Sequence, residues 1–355
     1  MNNNPVISIV TPSCNQGEYI EDTILSVCTQ KGNFFIDYII VDNESTDQSF
    51  DKILKYYQTI NKGNLIKKIN NVKFYRCQSK ILKTACNGIS LRYLHEKDTG
   101  HGNGLNKGFT LAIGDILAWI NSDDKYHPNA FQTVSEVFNK FPDVKWLMGR
   151  PTWYDKNGRC TGAGKIYKNI YDFLNNDYQW IQQESTFWKK SLWTETGGQI
   201  NENYKLMVDG ELWCRFFKKT ELYHLDQILG GYRSHETNRA VIYMDKVIKE
   251  MDKAILDLRN SVDAKIMKLS QKLSLPVEDI ASDKDILNLN YKLITKNKNN
   301  QWVIKKLNYL IIKQFYLIEK LKSENQNLKI TTTPNFQNKN NFIILRKIKK
   351  ILKKQ

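Results

Sequence analysis

Asp115-Ile116-Leu117-Ala118-Trp119-Ile120-Asn121-Ser122-Asp123-Asp124 decides how this chain is read. From Ile116 to Ile120 it is unbroken apolar sequence, the pattern of a strand covered on both faces, and it then breaks into four polar residues ending in adjacent carboxylates. The same pattern occurs twice upstream, where Val6-Ile7-Ser8-Ile9-Val10 runs into Thr11-Pro12-Ser13 and Tyr38-Ile39-Ile40-Val41 runs into Asp42-Asn43. Between those two runs, after the turn Asn15-Gln16-Gly17, Ile20, Ile24 and Val27 recur at helical spacing and predict a crossover helix, hence a βαβ unit. A second helix is expected from about Asp47 with Phe50, Ile53, Leu54 and Tyr57 inward, and Leu91-Arg92-Tyr93-Leu94 as the next strand. The Lys- and Asn-rich stretch of about 61–90 between them reads as an insertion. Downstream, Pro128 suits the first turn of a helix carrying Phe131, Val134 and Phe138. The alternation predicts an α/β domain on a mostly parallel sheet with flanking helices. That domain is expected over 1–239, its later part, from about Trp146 to Tyr232, being rich in aromatic residues and less regular. Residues 240–355 are expected to form a basic, mainly helical C-terminal region.

The 355 residues, 41% of them hydrophobic, suffice for one large core plus an appendage. A mean hydropathy of -0.53, with no apolar stretch near twenty residues, argues against a membrane span. The start, Met1-Asn2-Asn3-Asn4-Pro5, lacks the basic and apolar parts of a signal peptide, so a cytoplasmic protein is expected. Cys14, Cys28, Cys77, Cys86, Cys160 and Cys214 show no metal-type spacing and are expected as free thiols. The net charge of +16 is unevenly spread: 29 Lys and Arg stand against 26 Asp and Glu through Arg239, and 24 against 11 beyond it. Such a bias marks either attraction to phosphate or the solvated helix faces of a Lys-rich chain. In Phe342 to Lys354, Leu345, Ile348 and Leu352 recur at helical spacing among Arg346, Lys347, Lys349, Lys350, Lys353 and Lys354. This is expected to lie on an anionic membrane surface. The alternative is packing on the domain or on a second copy, which makes the region an oligomerisation element. No recognised nucleic-acid motif accompanies the charge, and no specific nucleic-acid partner is expected.

In an open α/β sheet, ligands collect beyond the carboxyl ends of the strands, where the three polar clusters would meet. Adjacent carboxylates such as Asp123 and Asp124 repel each other unless a cation lies between them and a ligand. Mg²⁺ or Mn²⁺, bound through oxygen and bridging to a diphosphate, meets that need. The simpler alternative is that the pair caps the following helix.

Taken in order, a longer set of segments resembles the family 2 glycosyltransferases of GT-A fold, especially those of bacterial surface polysaccharides. They are Ile9 to Gln16 with Tyr19-Ile20, Thr23 to Val27 with Gln30, Ile40 to Asp47, Asp98-Thr99-Gly100, Leu105 to Gly108, Gly114-Asp115-Ile116 and Trp119 to Asp124. Gln183 to Phe187, Gly197-Gly198, Asp209 to Trp213 and Tyr232 to His235 continue the series. The resemblance implies Thr11, Ser13 and Asp42 around the nucleotide base and ribose, Asp42 accepting from a base N–H. Asn43, Asp98 and Asn121 are expected on the donor side with them. It implies Asp123 near ribose and metal, Asp124 as the residue holding the cation, and His235 approaching metal and diphosphate. Asp209 is implied as the base of an inverting transfer, with Glu211 a supporting acid and Trp213 either core or acceptor-site wall. The chain departs from the usual pattern at His101 and Asn103, where relatives often have Gln and Asp, at Arg150, and in its insertion.

The function so implied is transfer of a hexosyl or N-acetylhexosaminyl group from a nucleotide-sugar, UDP preferred, to a glycan or lipid-linked glycan. A sugar-phosphate nucleotidyltransferase would need a Gly-rich basic loop soon after the first strand, which Pro12 to Gly17 does not supply. The other alternative is an inactive nucleotide-sugar-binding or scaffold module tethered by the tail, against which Asp123, Asp124 and Asp209 weigh.

Overall fold

A computed structural model describes residues 4–164, 170 and 180–261. The chain divides into units of Met1–Leu310 and Ile311–Gln355. All described residues belong to the first, and the stretch Phe342 to Lys354 lies outside them.

Strand β1 (Val6–Ser13), helix α1 (Ile20–Cys28) and strand β2 (Gly32–Asp42) form the expected βαβ unit, β1 and β2 parallel with Ser13 opposite Asp42. Ile20, Ile24 and Val27 are fully buried. After α2 (Ser49–Asn61), the stretch of the expected insertion contributes a hairpin, β3 (Asn64–Ile69) and β4 (Val72–Arg76). Asn70 and Asn71 turn it at φ 46° and 65°, the left-handed pair that a two-residue hairpin loop requires. The strand read at Leu91–Leu94 already begins at Cys86: β5 (Cys86–His95) runs parallel to β2, and β4 joins its other edge antiparallel. In α2 the buried stripe is Ile53, Tyr56 and Ile60, whereas Tyr57 is exposed. The Tyr56 hydroxyl donates to Glu21 of α1 at 2.8 Å, a tie across two helices that local spacing does not reveal.

Helix α3 (His101–Leu111) leads into β6 (Ile116–Trp119), the decisive apolar run, which lies parallel to β1 on the side away from β2. A Cβ at Gly108 would sit 2.3 Å from Val10 Cγ1, so only glycine lets α3 lie this close to β1. After β7 (Lys125–Tyr126), α4 (Ala130–Lys140) buries Phe131, Val134 and Phe138 as expected. The aromatic-rich stretch is more regular than its sequence suggests. It contains β8 (Trp146–Tyr154), β9 (Cys160–Ala163), β10 (Thr186–Lys189), α5 (Lys190–Glu195), α6 (Val208–Phe217) and β11 (Tyr223–Arg233). Among the described residues the strands make one sheet in the order β3-β4-β5-β2-β1-β6-β10-β8-β11-β7, with β9 beside β8. Its parallel centre is β5-β2-β1-β6.

Trp213 is core: it stacks on Trp119 at 5.8 Å and Trp146 at 5.5 Å, with Trp188 packed against it. Beyond α7 (Arg239–Ile242), α8 (Met244–Asn260) adds buried Val247, Met251, Ala254, Ile255 and Leu258 to the same core. The first helices of the region expected from 240 thus begin with one packed onto the α/β domain. All six cysteines are free, and no described helix is long and apolar enough to cross a membrane.

Candidate active site

The carboxyl ends of β1, β2, β5 and β6 lie side by side and open into a cleft of about 410 Å³, lined among others by Ser13, Asn43, Asp98, Asn121 and Asp123. The loops forming it are tied before any ligand arrives. Asn15, at φ 51°, turns the chain after β1 and accepts the Thr46 N–H at 2.8 Å, while the Gly17 N–H donates to Asp47 at 2.7 Å. Asn43 accepts the Asp98 N–H at 2.8 Å, and Asp98 accepts the Gly100 N–H at 2.8 Å. Each bond consumes a backbone group that a loop would otherwise leave to water, so the rim is pre-organised.

Five of the expected donor-side residues therefore face the cleft, and two do not. Thr11 is fully buried, its hydroxyl bonded to Tyr38 at 3.1 Å. Asp42 is fully buried too, and accepts from the Ser45 N–H and hydroxyl, from Tyr93 at 3.2 Å and from His95 at 2.7 Å. With these donors around it, the carboxylate braces its own loop. The apolar run before Asp42 indicated the end of a strand but not the donors waiting on β5.

The adjacent carboxylates divide sharply. Asp124 is fully buried: one oxygen accepts the Arg233 N–H at 2.7 Å, the other the Asn121 amide at 3.1 Å. Its carboxyl is also bonded to buried Glu184, and burial is the first cause holding both above the usual carboxylate range, joined at Asp124 by the charges of Glu184 and Asp123 and at Glu184 by those of Asp209 and Asp123. Asp123 turns outward, its carboxylate 3.0 Å from His235 Nε2, and the His235 ring stacks on Tyr19 at 4.8 Å. The expectation that Asp124 holds a cation thus meets a carboxyl with both oxygens engaged; Asp123 lines the cleft, while the His235 ring is buried, with Nδ1 on Thr237 at 2.9 Å and Nε2 shared by Asp123 and Asn238 at 3.0 Å.

Arg233 ties this arrangement together. It is buried, donates from Nε to the Asp123 carbonyl at 2.6 Å, reaches the Lys156 carbonyl at 3.0 Å and Asp22 at 2.9 Å, and lies over the Tyr19 ring at 4.9 Å. Sequence reading missed it and Glu184, although both lie inside segments already singled out. Their partners are up to two hundred residues away in sequence, and nothing local signals them.

The residues present fit a hard divalent ion. Asp123 lines the cleft, its carboxylate 3.0 Å from the buried His235 ring, and the buried Oδ1 of Asn121, also in the lining, has no hydrogen-bond partner. Among the described residues no three His, Cys, Asp or Glu side chains converge on one point. Ions of the Mg²⁺ type need only one or two protein ligands when substrate phosphates and water complete the shell.

Asp209 stands in the first turn of α6, half-buried and not among the residues lining the cleft. Burial pushes its carboxyl up to about 6, against the opposing pull of the Gly210 N–H and its own. Two features hold it there. Trp213, one turn on, is locked in the tryptophan stack, and Glu250 of α8 accepts the N–H groups of Lys205, Leu206 and Met207 at 2.9 to 3.1 Å, placing a negative charge at the amino end of α6. The rival acid, Glu211, is bound by Arg215 at 2.8 Å.

The Glycosyl transferase family 2 model matches residues 8–79 and 76–191. An uncharacterised glycosyltransferase of Rickettsia prowazekii is 22% identical over 255 residues, 68% of this chain and 69% of that one. TuaG of Bacillus subtilis, described as a putative teichuronic acid biosynthesis glycosyltransferase, is 33% identical over 122 residues, 34% of this chain and 37% of TuaG. The crystal structure of S. aureus TarS 1-349 in complex with UDP superposes with a TM-score of 0.50 at 14% identity, covering 71% of this chain and 64% of that one. This chain thus spans less than two thirds of TarS 1-349, and the likeness is one of fold.

Proposed function

Since the chain belongs to glycosyl transferase family 2, we propose that it moves one sugar from a nucleoside-diphosphate donor, UDP preferred, to a glycan or lipid-linked glycan with inversion. The observation that carries this reading is the placing of acids at one cleft: Asp123, paired with His235, in the lining at the strand ends, and a base-range Asp209 in the first turn of α6. The donor's nucleotide would lie along Ser13, Asn43 and Asp98, its diphosphate toward Asp123 and His235. We assign cation binding to Asp123 with His235, and to Asp124, with Glu184 and Arg233, the holding of that turn. A bound Mn²⁺ or Mg²⁺ would offset the charge that develops on the leaving diphosphate.

Asp209 accepts the proton of the acceptor hydroxyl as its oxygen bonds to the anomeric carbon and the bond from that carbon to the diphosphate oxygen breaks. One carboxylate suffices for a single displacement, and no covalent intermediate forms on the protein. A protein acting at the cytoplasmic face of a membrane, with the basic region of 240–355 turned to anionic lipid, would meet a lipid-linked acceptor there. Surface polysaccharide synthesis is the process this suits.

A thermal-shift screen of UDP, GDP, dTDP and CMP, with and without Mn²⁺, tests the reading, because a ligand selective for the folded state raises Tm. The expected result is a metal-dependent shift with one nucleotide that is lost in Asp123→Asn. No shift with any of them favours the scaffold alternative.

A further inference from the structure

Where α3 begins, the cleft continues into a smaller cavity of about 150 Å³, bounded by Thr99, His101, Asn103, Glu202, Lys205 and Arg239. Four independent features give it an anion-seeking character. The first turn of α3 itself has no acidic residue and no side-chain cap, and the Asp98 carboxylate beside it is bonded to the Gly100 N–H at 2.8 Å. Neither the Lys205 ammonium nor the Arg239 guanidinium makes a hydrogen bond or ion pair within the described residues. His101 Nε2 is buried without a partner, and burial together with the Arg239 charge keeps the ring neutral, lowering it to about 4. The one acid in its lining, Glu202, is taken up by the amides of Asn103 at 3.2 Å and Asn106 at 2.8 Å.

We propose that this cavity takes a carboxylate carried by the transferred sugar, so that the donor is a nucleotide-linked uronic acid. The inference rests on the glycosyltransferase reading above and narrows its substrate. The cavity is too small for a nucleotide. It also lies on the α3 side of the cleft, apart from the Asp123–His235 pair to which the leaving diphosphate is assigned. A neutral His101 can donate one hydrogen bond to a carboxylate oxygen without adding a charge of its own, while Lys205 and Arg239 supply the charge-assisted bonds.

The test measures Kd on the full chain with Mn²⁺ for two matched pairs, UDP-glucuronate with UDP-glucose and GDP-mannuronate with GDP-mannose, alongside UDP and GDP. No acceptor is present, so any preference belongs to the donor and not to an anionic acceptor. The expected result is about tenfold tighter binding of one uronate than of its neutral partner, the scale of a charge-assisted hydrogen bond. Arg239→Ala and His101→Gln should each move that ratio toward one. Equal binding within both pairs overturns the inference and leaves the glycosyltransferase reading standing. So does an Arg239→Ala loss that is as large for UDP or GDP alone as for the uronate, since Arg239 would then grip the diphosphate. Failure of every nucleotide and donor to bind removes the reading and the inference together.

Discussion

Asp209 is the residue on which the chemistry turns, and its environment makes a prediction with a sign. Burial raises its pKa to about 6, and only the ionised form can accept a proton. Hence kcat/KM should climb with pH through about 6 and level off above it, which a pH profile of donor turnover will check. Asp209→Asn should lower kcat by about 10²- to 10⁴-fold. Nucleotide-induced thermal shifts should survive that change, because the residue is not among those lining the cleft. Arg233 makes a different prediction. Its bonds are to the Asp123 carbonyl, Asp22 and the Tyr19 ring beneath His235, so it should act on cation affinity through the residues it holds. Arg233→Lys keeps the charge but loses the planar fork, and should raise the Mn²⁺ concentration needed for half-maximal activity by about ten- to a hundredfold, as loss of a supporting bond commonly does.

At the scale of elements, the telling contact is between α6 and α8. The turn that leads into α6 presents three N–H groups, those of Lys205, Leu206 and the N-cap Met207, and their acceptor comes from another helix, Glu250 of α8. Glu250→Ala should cost about 1–3 kcal/mol of stability, as for buried donors left without a partner. In a domain of this size that corresponds to a Tm loss of about 2–4 °C per kcal/mol, readable by calorimetry. The same variant should lower kcat, since it loosens the turn bearing Asp209, and should also raise KM, since Lys205 and Leu206 line the cleft. A gain in KM alone would show that α8 has no part in positioning the base. Gly210 lies at the same junction. A Cβ there would come within 2.5 Å of Met251 Sδ, so Gly210→Ala must displace that side chain and should destabilise by about 1–3 kcal/mol, measured by denaturant unfolding.

For the whole molecule, charge is divided between parts. The region to Arg239 is nearly balanced, and the excess of 24 basic over 11 acidic residues lies beyond it. If that excess meets anionic lipid, the full chain should sediment with anionic vesicles at low salt and come off as ionic strength rises past about 0.1 M, where the screening length falls to about 10 Å. Replacing Arg346, Lys347, Lys349, Lys350, Lys353 and Lys354 by Gln should weaken retention by about 1 kcal/mol for each residue that touched the surface. A chain that never sediments with vesicles but elutes as a dimer assigns the basic region to a second copy instead.

Much of this protein was legible in one dimension. The parallel centre of the sheet is covered on both faces, so its strands appear as plain apolar runs and their ends as abrupt polar breaks. Ile20, Ile24 and Val27 mark their helix by spacing alone. From those breaks came Ser13, Asn43, Asn121 and Asp123, and from the resemblance Asp98, all of which face one cleft. The aromatic-rich half was not legible, because β8, β10 and β11 are paired across long separations and carry no period of their own. Adjacent Asp123 and Asp124 have the same neighbours in sequence, and only the resemblance gave them separate roles. What separates them is which way each side chain leaves the turn after β6, and that is decided by Arg233 and Glu184 arriving from distant parts of the fold. Residue type and spacing determined that acids would gather at the strand ends. Only tertiary packing, by choosing which carboxyl is desolvated and which is left open, decided what each of them can do.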